Sequence, residues 1–114
     1  MSINDNRKAF HKLVRDNIPQ IIENSGGSPE YRTIPESFRK DALVDKLREE
    51  VAELVDAETP DEFIEEAADI YEVLLALVYQ HGFIDADLFL KVKQKKRDRG
   101  GFDKFVWLDG VNSR

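Results

Sequence analysis

Residues 41–80 read DALVDKLREEVAELVDAETPDEFIEEAADIYEVLLALVYQ, and the fold follows from where this stretch is broken. No Gly or Pro falls between Glu36 and Ala57, and Leu43, Leu47, Val51 and Leu54 recur at helical spacing. That predicts a long amphipathic helix from about Glu36 to Ala57. Thr59-Pro60-Asp61-Glu62 then offers an N-cap, a Pro in the first helical position and a Glu at N3, which is a capping box. The next helix should run to about Gln80 with Phe63, Ala67, Ile70, Leu74, Leu77 and Val78 as its apolar stripe, and Gly82 should end it. Two long helices joined by a short loop at Glu58-Thr59 make an antiparallel hairpin.

On the N-terminal side, residues 1–11 are polar and expected to be flexible. Asp16 or Asn17 can cap a short helix that Pro19 suits in its first turn. The helix must stop at Asn24-Ser25-Gly26-Gly27-Ser28-Pro29, which is turn chemistry. Tyr31 to Ile34 reads as extended or irregular. On the C-terminal side, Asp85 or a neighbour should cap a fourth helix carrying Leu88, Phe89 and Val92, ending at Gly100-Gly101. The segment from Phe102 to Leu108 is aromatic and β-branched and reads as a short extended tail. The expected fold is all-α, a four-helix-type bundle forming a single domain over residues 1–114, the usual size of one such unit.

The chain has 17 basic and 23 acidic residues, a net charge of −6, and no cysteine. Disulfides and thiolate chemistry are excluded, and broad nucleic-acid binding is disfavoured. No apolar run reaches the length of a membrane span and no leader pattern opens the chain, so a cytoplasmic location without membrane attachment is expected. The charges are segregated: seven basic residues fall between Lys91 and Lys104, whereas acids dominate from Asp41 to Glu72.

Some of those acids stand where leucines should. With about 100° per residue, Glu50 projects nearly along Leu43, within the stripe of Leu43, Leu47 and Leu54. Glu53 lies at the edge of that stripe and Glu49 further round. On the third helix Glu66 falls between the directions of Val73 and Leu77, flanked by Asp69. Two carboxylate pairs facing each other across a helix interface would repel, and each unpaired buried carboxylate costs several kcal/mol. A hard divalent cation is the natural compensation for an all-oxygen donor set, with Mg²⁺ first and Mn²⁺ second. The plainer reading is a solvated acidic face, with Lys46 forming ordinary helix pairs one turn from Glu49 and Glu50.

Glu49-Glu50-Val51-Ala52-Glu53, followed after twelve residues by Glu66-Ala67-Ala68-Asp69, resembles the EExxE…ExxD signature of the MazG-like, all-α nucleoside triphosphate pyrophosphohydrolases. Phosphoribosyl-ATP pyrophosphohydrolase belongs to the same superfamily. Lys12 to Pro19 and Arg99-Gly100-Gly101-Phe102 resemble the ends of its small, single-domain house-cleaning branch, so the likeness covers about Lys12 to Leu108. It implies Glu50, Glu53, Glu66 and Asp69 as metal ligands. Glu49 would be the catalytic acid beside Glu50 that orients or deprotonates water, and Glu72 a further acid near the metal. The implied reaction cleaves a nucleoside triphosphate between α and β phosphates, on noncanonical nucleotides among others. The implied assembly is a homodimer or homotetramer. Phosphoribosyl-ATP hydrolysis and a non-catalytic helical nucleotide- or protein-binding dimer are the alternatives.

Lys12, Arg15, Lys93, Lys96, Arg97 and Arg99 are the candidates to hold phosphate, Arg being suited to bidentate contacts. Against that, lysines late in a helix meet its dipole and are commonly solvated. Phe102, Phe105 and Trp107 can stack on a base or pack in a core or dimer. His81, beside Gly82, reads as a helix C-cap, and His11 has no partner pattern.

Overall fold

The computed structural model describes residues 11–113; most of the segment expected to be flexible, residues 1–10, lies outside them. Four helices are present, and among the described residues there is no strand. They are α1 (Ile18–Asn24), α2 (Arg39–Asp56), α3 (Pro60–Gln80) and α4 (Asp85–Arg99), with one 3₁₀ turn, Glu36–Phe38, leading into α2. No single helix among them is long and apolar enough to cross a membrane.

The α2–α3 hairpin is the organising unit. Thr59 Oγ1 accepts from the Glu62 amide at 3.1 Å, the first half of the capping box. The second half is displaced by one residue, because the Glu62 carboxylate accepts from the Glu58 amide at 3.0 Å. That contact ties the loop itself to the helix start and holds the hairpin closed over Ala57-Glu58-Thr59. At the far end, Phe83 N donates to Val78 O and Gly82 N to Tyr79 O, with Gly82 at φ 84°. These two bonds and the left-handed residue make a Schellman ending, which glycine accommodates without steric cost. The His81 ring nitrogen Nδ1 lies 2.9 Å from Leu77 O, so the imidazole caps the helix as expected.

One other cap differs from expectation. Asn17 is the N-cap of α1, yet it makes no side-chain capping bond. Its backbone lies in the right-handed helical region (φ −92°, ψ −1°) instead of the extended region that aims a side chain at the N2 and N3 amides. The N-cap of α4 is Ile84, the neighbour of Asp85, within the expectation; its own side chain offers no cap, and the Asp87 carboxylate accepts from the Ile84 amide at 2.9 Å. Phe102 to Lys104 form a turn, with Phe105 N donating to Phe102 O, and the tail beyond it joins no sheet among the described residues.

Packing is concentrated where α2 meets α3; α4 packs on α3 alone. Leu43 is the one buried apolar residue among the described residues, and Val51, Phe63, Leu74, Phe89 and Val92 of the expected stripes remain at least a third exposed. An amphipathic hairpin covers only the strip where its two helices touch. The remaining apolar width of each helix has nothing against it in a single chain.

Candidate metal centre

Helix α2 carries Glu50 inward one turn beyond Lys46, and its exposure is only 6%. It is the one buried charged residue among those described. Its Oε1 takes an ion pair from Lys46 Nζ at 3.2 Å, whereas its Oε2 is shut away from solvent with no hydrogen-bond partner. An enclosed acceptor of this kind costs of order 1–3 kcal/mol, more when charged, and so calls for a ligand. Facing it from α3, Glu66 has the same defect: its Oε2 is also enclosed and unpartnered.

Glu53 completes the group. One carboxylate oxygen from each of Glu50, Glu53 and Glu66 lies within 4.8 Å of the others. Three carboxylates so close cannot all stay ionised cheaply. Glu66 carries the consequence, its pKa raised to about 7 by loss of hydration first, then by proton sharing with Glu53 and Glu50 and by their like charge. The donor set is all oxygen, convergent and left with two unfilled buried lone-pair positions, which fits a hard divalent cation.

Asp69 is not part of that group. It accepts instead from Arg15 Nη2 at 2.6 Å, across 54 positions of sequence. The Arg15 pKa is raised, first by that hydrogen bond and then, against desolvation, by the charges of Asp69, Glu72 and Glu50. Glu49, next to Glu50 but further round the helix, is paired with Lys46 at 3.4 Å and with Lys12 at 3.6 Å. A recess of about 290 Å³ opens beside these groups, lined by His11, Lys12, Leu13, Ala42, Asp45, Lys46 and Glu49. The N-terminal motif therefore returns to the acids, bringing Lys12 and Arg15 with it.

The cations of α4 do not. Lys93 Nζ stands 5.2 Å over the ring of its own neighbour Phe89, and Arg97 pairs with Asp98 at 3.3 Å. Because α4 contacts only α3 and turns 107° from it, its basic residues are carried away from the carboxylates of the same chain. The pairing of Arg15 with Asp69 had no sequence signal, since no local spacing rule links positions so far apart. The pairing of Lys46 with Glu49 and Glu50 follows helical spacing.

The profile of the family described as phosphoribosyl-ATP pyrophosphohydrolase matches residues 8–96, a range containing both long helices and all the acids above. An uncharacterized protein of Mycolicibacterium smegmatis is 48% identical over 54 residues, covering 47% of this chain and 55% of the relative. The chain thus spans about half the length of that relative. No solved structure matches it.

Proposed function

We propose that this chain, which belongs to the phosphoribosyl-ATP pyrophosphohydrolase family within the MazG-like superfamily, is a Mg²⁺-dependent hydrolase that cleaves a nucleoside triphosphate between its α and β phosphates. Members of the family are pyrophosphohydrolases acting on phosphoanhydride bonds, and the family is metal-dependent. The observation that carries the finer reading is the pair of buried, unpartnered oxygens on Glu50 and Glu66, with Glu53 in the same group.

In this reading Glu50, Glu53 and Glu66 would hold the cation, with Asp69 joining once released from Arg15. When bound, the metal supplies Lewis acidity and charge neutralisation at phosphate oxygens. Glu49, exposed enough to meet water and adjacent to the ligand set, would take the proton from the attacking water. One water adds across the α–β bond, giving the nucleoside monophosphate and pyrophosphate. Lys12 and Arg15 would meet phosphate charge at the rim, the guanidinium through two parallel donors. Arg15 would exchange the Asp69 carboxylate for a phosphate oxygen. Association of chains is part of the proposal, because the apolar width of α2 and α3 is only partly covered within one chain.

Pyrophosphate release measured across ordinary and modified nucleoside triphosphates, with and without Mg²⁺, tests it. Metal-dependent turnover that disappears in Glu50→Gln supports the reading; unchanged turnover in a folded Glu50→Gln variant sinks the site assignment. The description of the matching family favours a second reading, with phosphoribosyl-ATP as substrate. Including phosphoribosyl-ATP in the same panel decides between them.

A further inference from the structure

Helix α1 has little to hold it in place on its own. It is seven residues long and makes no side-chain capping bond at Asn17, and isolated helices shorter than about 12 residues are marginal in water. None of its residues is buried, and it packs on no other helix among the described residues. Ile18 and Pro19, at its start, are half-buried, whereas Gln20 to Asn24 are exposed. The order of α1 therefore depends on the segment just ahead of it.

That segment is pinned to the acids. Arg15 reaches Asp69 on α3 at 2.6 Å and Lys12 reaches Glu49 on α2 at 3.6 Å. Residues 12–15 thus bridge the two helices of the hairpin beside Glu50 and Glu66. The Arg15 backbone carries the restraint onward, because its carbonyl accepts from the Ile18 amide at 3.1 Å in the first turn of α1. The other end of the connection is fixed separately, where Ile34 O accepts from Arg39 Nε at 3.3 Å. Between these anchors the chain reverses at Gly26, whose φ of 90° suits glycine. The result is a strap hinged on α2 and fastened by Arg15 at the carboxylates.

Charge at the site acts on that fastening. The guanidinium is favoured first by its hydrogen bond to Asp69 and also by the negative charges of Asp69, Glu72 and Glu50. A divalent cation among Glu50, Glu53 and Glu66 cancels the field that holds Arg15, and one that recruits Asp69 takes its partner as well. A diphosphate on the cation brings back negative oxygens for the guanidinium to pair with. We propose that residues 12–24 form a strap latched by the Arg15–Asp69 bond: a divalent cation at the carboxylates opens it and loosens α1, and a diphosphate group on that cation recloses it. The strap is an order–disorder element set by occupancy of the site, open to admit the ligand and closed over it. The latch stands on the geometry alone; its opening by the cation rests on the metal reading proposed above.

Amide hydrogen exchange on the full chain reads the strap directly, at the amides of Ile21 to Ser25, whose first and last members donate to Asn17 O and Ile21 O. An exposed ion pair shifts such an opening equilibrium by up to about fivefold. In the metal-free chain, Asp69→Asn and Arg15→Gln should each speed exchange in α1 by about two- to fivefold. Arg15→Lys should fall between them and the wild type, and exchange in the α2–α3 hairpin should stay as it was. Mg²⁺ alone should loosen α1 of the wild type to the same extent and change neither variant further. Inorganic pyrophosphate added under excess Mg²⁺ should restore slow exchange in the wild type and not in Arg15→Gln.

Unaltered α1 exchange in metal-free Asp69→Asn overturns the latch. Mg²⁺ that binds, seen as heat in titration calorimetry, while α1 exchange stays the same or slows overturns the coupling of the strap to the site. A chain that gives no Mg²⁺ heat, but whose α1 is loosened by Asp69→Asn, refutes the metal reading and upholds the latch.

Discussion

Arg15 and Asp69 are joined by a 2.6 Å charged hydrogen bond that ties the segment before α1 to the middle of α3. Both side chains are more than a third exposed, so the bond adds little to stability, about 0–1 kcal/mol for pairs of this kind. Its consequence lies in the proposed site, because it occupies with a cation of the chain's own a carboxylate that the resemblance implies as a metal ligand.

Replacing Arg15 should therefore separate metal from substrate. Arg15→Gln leaves the melting temperature nearly unchanged and Mg²⁺ binding no weaker, since one competitor for Asp69 is gone. KM for the nucleotide rises about ten- to a hundredfold, the loss of one charged phosphate contact of roughly 1.5–3 kcal/mol. Calorimetric Mg²⁺ titration beside steady-state kinetics checks both halves. Weaker Mg²⁺ binding in the variant would show that Arg15 supports the ligand set instead of competing with it.

Thr59 should matter to the fold and not to the chemistry. Its hydroxyl holds the Glu62 amide at the start of α3, and removing such a cap costs about 1 kcal/mol. Thr59→Ala is expected to lower stability by that amount in urea unfolding while kcat/KM per folded molecule stays put. Thr59→Ser should recover most of the loss.

The helices, their ends and the anomalous position of Glu50 were legible because each is set by spacing along a few turns. Leu43, Leu47 and Leu54 define a stripe, Glu50 lies within it, and the structure buries that carboxylate. Thr59, His81 and Gly82 act within four residues of themselves, so their capping roles are local facts. The bond from Arg15 to Asp69 depends on the path of residues 16–38, irregular and short-helical, which no periodicity encodes. The direction of α4 was equally hidden, being set by the turn at Gly82 to Ile84. The exposure of Val51, Phe63 and Phe89 was hidden for a different reason. A stripe of apolar residues states that a face is to be covered, without stating that the cover lies in the same chain.

Glu50 and Glu66 should respond differently to loss of charge. Glu50 is paired with Lys46, itself mostly enclosed at 16% side-chain exposure. Glu50→Gln leaves that ammonium with Glu49 alone, at 3.4 Å, and should destabilise the metal-free chain by about 1 kcal/mol. Glu66 has no such cation among the described residues, and Glu66→Gln removes a like charge beside Glu50 and Glu53, so the metal-free chain should be at least as stable as wild type. Both variants should lose at least a hundredfold in pyrophosphate release and the thermal shift caused by Mg²⁺. Thermal unfolding of the two, with and without the metal, distinguishes a ligand from a structural ion-pair partner.

The pH dependence of the metal-free chain follows from the Glu66 carboxyl, whose pKa rises from 4.5 to about 7 on folding. A folded state that binds the proton more tightly than the unfolded chain loses stability as pH rises. The contribution is fully present below about 4.5 and is lost progressively up to about 7. Above that Glu66 carries its charge against the neighbouring Glu53 and Glu50. Mg²⁺ competes with the same proton, so its affinity should increase as pH is raised from about 5.5 to about 8. The stabilisation it confers should grow while that of the metal-free chain falls. Urea unfolding across this range should show stability falling with pH in EDTA and nearly level with saturating Mg²⁺, whose binding expels the proton. Glu66→Gln should flatten the slope in EDTA. Parallel slopes in the wild-type chain would mean that the cation and the Glu66 proton do not share a site.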